Sequence, residues 1–116
     1  MKEFRSIISK VKAFVAERKM DKELTDAILD DEQLYRTHNR RFYVIPDNNH
    51  KLRVFSWSQL KQMKKQGLFS SNCKENDFIN ESFYYTPSRI DGMYMKPELK
   101  EKKRKMWHTY YKAYRL

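Results

Sequence analysis

The apolar residues of this chain change their spacing twice, and this constrains the fold more than any other feature. Phe4, Ile7, Ile8, Val11, Phe14 and Val15 recur at i, i+3, i+4 and i+7, which makes one stripe of a helix. Asp21 then reads as the N-cap of a second helix whose stripe is Leu24, Ala27, Ile28 and Leu34, with Glu23, Asp26 and Asp30 outward. The two predict a helical hairpin over residues 3–35, one leg basic and one acidic. From 41 to 56 the period falls to two. Arg41 to Ile45 is aromatic and β-branched, and Leu52, Val54 and Ser56 alternate with Lys51, Arg53 and Phe55. Pro46 to Asn49 supplies turn chemistry, with Asn48 and Asn49 expected at the tip because Asn tolerates positive φ. This predicts a β-hairpin over 41–56, after which the helical period returns. The pattern is that of a small α+β protein, mostly helical, and 116 residues make it a single domain over 1–116.

The next helix, 57–66, carries four local signals. Ser56 at the N-cap with Gln59 three residues on makes a capping box, and Phe55 and Leu60 make a hydrophobic staple across it. Gly67 suits the left-handed position past the last turn, which places Leu68 over Met63. Asn72 and Glu75 suggest another capped start, for a helix over 74–84 with Phe78, Ile79 and Phe83 buried and Thr86-Pro87 ending it. Asp91-Gly92 predicts a tight turn. Pro97 suits the first position of a last helix, 97–115, with Glu98 and Glu101 near its positive end.

Charge is unevenly placed. Lys and Arg number 25 against 15 Asp and Glu, a net +10, and such a surface favours an acidic partner. Seven Phe, eight Tyr and two Trp exclude a disordered polycation, which is poor in aromatics. The acidic residues 21–35 lie between two basic stretches, so part of the positive charge is expected to be neutralised within the fold. The last helix has no acidic neighbour in sequence. Its first half carries Lys100, Lys102, Lys103, Arg104 and Lys105, its second Trp107, Tyr110, Tyr111 and Tyr114, with Leu99, Met106, Tyr110 and Tyr114 on one stripe. Ammonium and guanidinium groups attract phosphates, and adjacent rings stack on bases or fill a protein pocket. The first group is therefore a candidate polyanion contact and the second a candidate docking surface. Arg36, Arg40, Arg41, Lys51 and Arg53 form a second basic cluster on the hairpin, suited to a phosphate backbone. Charge also protects edge strands and solvates helices, which is the plainer reading of both clusters.

No catalytic constellation forms. Pro46-Asp47 with Glu98-Leu99-Lys100 is superficially like a nuclease pattern, but Glu98 and Lys100 open a helix instead of lining a strand. His38, His50 and His108 have no partner at metal-ligand spacing, and Asp30, Asp31 and Glu32 point in different directions on a helix. The single cysteine, Cys73, has no activating neighbour beyond Lys74 and cannot form an internal disulfide. With two glycines, both outside any GxGxxG or GKS/T pattern, no phosphate-cradling loop is expected. The expectation is a protein that is not an enzyme and holds neither metal nor cofactor. Charge alternating with apolar residues from Met1 to Val15 does not make a signal peptide. The longest apolar runs are far short of the roughly 20 residues of a membrane span. A cytoplasmic location, or one inside a phage particle, is expected.

The segment RRFYVIPDNNHKLRVFSWSQLKQMKKQGLF, followed by ESFYYTP, resembles uncharacterised short proteins of Bacteroidetes and their phages. The shared pattern is a YVxP hairpin, a helix ending in KKxG and an aromatic run before TP. The resemblance covers the middle half of the chain and implies a phage or mobile-element context without naming site residues. The reading is a non-enzymatic accessory or structural subunit of a nucleic-acid-containing assembly, which docks by aromatic residues and contacts polyanion by Lys and Arg. A free DNA- or RNA-binding regulator is the alternative. Whether the subunit is an oligomer stays open.

Overall fold

A computed structural model describes residues 2–88 and 92–116, with side chains from Val15 onward. Its order is α1 (Lys2–His38), β1 (Phe42–Pro46), β2 (Leu52–Ser56), α2 (Trp57–Lys65), α3 (Glu75–Glu81), β3 (Tyr84–Tyr85) and α4 (Pro97–Tyr114). The strands form one antiparallel sheet in the order β2-β1-β3, with Val44 opposite Val54 on one side and Tyr84 on the other. This is an α+β fold with a long C-terminal helix.

Strand parity divides the core in two, because successive side chains leave opposite faces of a sheet. Val44, Leu52, Val54 and Tyr84 join Met20, Leu24, Ala27, Phe83, Trp107 and Tyr111 beneath α1 and α4. Tyr43, Ile45, Phe55 and Tyr85 join Leu60, Met63, Phe69 and Phe78 beneath α2 and α3. The sheet is thus the middle of three layers. Tyr43 is buried in the second cluster with its hydroxyl donating to Glu75 at 2.7 Å.

The helical hairpin expected over 3–35 is instead one continuous helix of 37 residues. Residues 2–38 contain no Gly or Pro to break it. Asp21 is not a cap; its carboxylate reaches across to α4. The helix runs unbroken through the point where the change of stripe suggested a turn. At about 1.5 Å per residue α1 is about 55 Å long, which accounts for the molecule's longest dimension of 57 Å. The radius of gyration, 16.5 Å, exceeds the roughly 13 Å of a spherical chain this size for the same reason.

The local signals of α2 are present as read. Ser56 Oγ accepts from Gln59 N–H at 3.2 Å, and Gln59 Oε1 accepts from Ser56 N–H at 2.8 Å. Gly67 has φ +81°, and Leu68 N–H donates to Met63 O at 3.1 Å, closing the helix in a Schellman motif. The helix expected over 74–84 stops at Glu81, because Tyr84 and Tyr85 pair with β1. It is opened by Asp77, whose carboxylate accepts from Lys74 N–H, and not by Asn72. In the β1–β2 turn the left-handed residue is His50 at φ 62°, not Asn48 or Asn49. Asp47 Oδ1 takes both Asn49 N–H and Lys51 N–H and so shapes the turn from its first residue. Asp91 of the expected Asp-Gly turn lies outside the described residues; Gly92 has φ 60°.

Asp31 is the anomaly of the first core. It is fully buried on α1, and among the described residues neither carboxylate oxygen has a hydrogen-bond partner. Burial, helped by the charge of Glu32, pushes its pKa up to about 9, so the acid is protonated at neutral pH.

Candidate nucleic-acid interface

Helix α4 starts at Pro97, whose fixed φ and missing N–H suit that position, with Glu98 in its first turn and Lys112 in its last. Its surface divides into an inner side, a flank against α1, an open flank and an outer side.

The inner side is Lys103, Trp107 and Tyr111. Trp107 is fully buried, donates from Nε1 to Met20 O at 2.9 Å and meets Phe83 edge-to-face. Lys103, 2% exposed, extends beneath the end of α3 and donates to the carbonyls of Ile79 at 2.8 Å, Asn80 at 3.2 Å and Ser82 at 2.5 Å. The last carbonyls of a helix lack intrahelical donors, and an ammonium supplies three. Burial, with Lys102 nearby, lowers the pKa of Lys103 to about 8. Lys103 is therefore a helix cap and not a polyanion contact, and Trp107 and Tyr111 are core and not docking residues.

The flank against α1 is neutralised. Arg104 grips Asp21 with two hydrogen bonds, 3.0 and 3.1 Å, and reaches Glu101 at 3.0 Å; His108 Nε2 lies 2.7 Å from the same carboxylate. Burial opposes ionisation of Asp21, but Arg104 and His108 keep its pKa below the usual carboxylate range. At the helix end Arg115 pairs with Glu23, which also accepts Leu52 N–H. The acidic stretch of α1 thus cancels part of the tail's charge, and Arg104 is removed from the candidate contacts.

The open flank carries an apolar groove of about 620 Å³. Phe83, Met106, Tyr110, Ala113 and Tyr114 line it together with Glu81 and Thr109, and Lys102 and Lys105 also border it. Both lysines are exposed, and among the described residues neither makes an ion pair. Tyr114, 59% exposed, stacks on His50 at 4.7 Å and 16°, and His50 Nδ1 lies 2.6 Å from Tyr110 Oη. The left-handed backbone at His50 thus brings the hairpin tip against the last turn of α4, and the rings of His50, Tyr114 and Tyr110 form a ladder at the end of the groove. Lys100 is exposed above the Tyr84 ring at 5.8 Å.

The hairpin cluster does not make one surface. Arg40 and Arg41 precede β1, whereas Lys51 and Arg53 stand at the turn, about 17 Å away along five-residue strands. Arg41 donates to Thr86 O at 2.9 Å and lies over the Tyr85 ring, so it holds β3 in place. Arg53 pairs with Asp47 at 2.6 Å, which brings that carboxyl down to about 2. Of this cluster, Arg36, Arg40 and Lys51 stay exposed without an ion pair among the described residues.

Of the residues singled out in the sequence, Lys102, Lys105, Tyr110 and Tyr114 come together on this flank, joined there by Phe83, Glu81 and His50, which the sequence did not single out. Among the described residues no three His, Cys, Asp or Glu side chains gather as metal ligands, and no helix is long and apolar enough to cross a membrane. No family model matches the chain, and no curated protein or solved structure is significantly similar to it.

Proposed function

We propose that the protein is a non-enzymatic accessory subunit of a nucleic-acid-containing assembly, of phage or mobile-element origin, and that α4 holds an unpaired polynucleotide strand along its open flank. The observation that carries this reading is the pairing of two unneutralised lysines with an apolar, aromatic groove. Single strands are held by this combination: cations follow the phosphates while rings stack on bases that a duplex would keep inside. Lys102 and Lys105 supply the first part, Tyr110 and Tyr114 the second.

The test is fluorescence anisotropy with a labelled single-stranded oligonucleotide at 50 and 200 mM salt. The wild type binds at low salt and weakens steeply, because each phosphate contact releases counterion. Lys102→Glu with Lys105→Glu removes binding, while Lys65→Glu, in the layer across the sheet, does not. Equal affinity of the two variants overturns the reading.

A further inference from the structure

The unpaired cations of the hairpin flank an open stretch of sheet edge. Strand β2 is an outer strand of the sheet. The carbonyls of Phe42 and Val44 accept from Thr86 N–H and Phe83 N–H on the β3 side, so Tyr43 and Ile45 are the β1 residues that exchange bonds with Phe55 and Arg53. Leu52, Val54 and Ser56 therefore turn their backbone groups outward. Leu52 N–H is taken by Glu23 at 3.2 Å, and Ser56 N–H by Gln59 at 2.8 Å. The N–H and C=O of Val54 have no partner among the described residues.

Helix α1 runs beside this edge without closing on it. Two adjoining cavities, about 770 and 360 Å³, lie between them and share Leu34, Val54 and Gln59 as lining. Lys51 and Arg53 line the first and Arg40 the second, so the groove is cationic at both ends; Asp30 is the one carboxylate among its lining residues. Arg53 is held by Asp47, which leaves Arg40 and Lys51 to an outside charge.

We infer that this groove takes an extended, acidic peptide segment of a protein partner, which adds to β2 as a fourth strand. An extended peptide supplies the alternating N–H and C=O groups that complete an open edge; a nucleic-acid strand has none. The residue opposite Val54 sends its side chain to the same face of the sheet, against Leu34, and is apolar. Carboxylates on either side of a five-residue core reach Arg40 and Lys51, which stand about 17 Å apart. A second copy of β2 is the wrong occupant, because antiparallel pairing of two such edges sets cations beside cations. With few free backbone groups on the edge, the complex is weak, in the high-micromolar range. This inference does not depend on the groove of α4.

The probe is a blocked nonapeptide, Glu-Glu-Thr-Val-Thr-Val-Thr-Glu-Glu, titrated into the full chain and followed by amide chemical shifts and amide exchange. The wild type binds it, with the Val54 amide shifted and its exchange slowed. The same peptide N-methylated through its central five residues does not bind. Arg40→Glu with Lys51→Glu weakens binding at least tenfold and gains binding to the analogue with Lys in place of Glu, without changing thermal unfolding. No binding up to about 1 mM, equal affinity for the N-methylated peptide, or indifference to the charge reversal overturns the inference. So does a chain that dimerises at 200 µM by sedimentation equilibrium and is dissociated by the peptide, which makes a second copy the occupant. A single-stranded oligonucleotide that shifts Val54 and Arg40 where the peptide does not makes a nucleic acid the occupant and overturns it as well.

Discussion

Replacing Asp31 by Asn tests the most unusual group in the core. The native acid titrates at about 9 and the unfolded one at the ordinary 3.8. Between these values the folded chain binds a proton that the unfolded chain has released, so stability falls as pH rises. One proton contributes about 1.4 kcal/mol per pH unit, so from 3.8 to neutral pH the loss is on the order of 4 kcal/mol. That is a large part of the 5–15 kcal/mol of a typical domain. Asn has the same shape and the same uncompensated polar burial but no proton to lose. Urea unfolding of both chains at pH 5, 6, 7 and 8 measures the difference. The wild type is expected to lose about 1.4 kcal/mol per unit relative to Asp31→Asn, with the two curves converging toward pH 4. Parallel curves would falsify the reasoning and mean that Asp31 is ionised in the native state and has found a partner.

Lys103→Met leaves the end of α3 without donors and should lower unfolding stability by about 2 kcal/mol, whereas Lys102→Met leaves it unchanged in the same urea titration. Asp21→Asn weakens the joint between α1 and α4; because both partners are about 39% exposed, a loss of about 1 kcal/mol is expected, accompanied by faster amide exchange at the end of α4. Gly67→Ala puts a side chain at φ +81° and should cost about 1 kcal/mol by thermal unfolding, even though nothing stands near the new methyl group.

What could be read from the sequence was local. The Ser56–Gln59 box and the Gly67 terminus depend on residues within four positions of one another, and α2 formed as they dictate. The hairpin strands were legible because parity alone sorts Tyr43 from Val44. Contacts across the chain were not. The shift of stripe between Val15 and Met20 is compatible with a turn or with one unbroken rod; the absence of Gly and Pro from residues 2–38 favours the second. A lysine in a helix reads as solvent-facing, and only the carbonyls of Ile79, Asn80 and Ser82, more than twenty residues earlier, make Lys103 a core residue. The same remoteness hid the pairing of Asp21 with Arg104, although the acidic stretch between basic ones had announced that some charge would cancel. The groove was half legible, since Tyr110 and Tyr114 stood out while Phe83 and His50 reach them through the sheet.

The central claim, a strand lying along the open flank of α4, is tested most directly by amide chemical-shift mapping with a short single-stranded oligonucleotide. Shifts confined to Lys102–Tyr114, Glu81–Phe83 and His50 are the result expected. Shifts centred on Arg40 and the start of β1, or none at low salt, would contradict it.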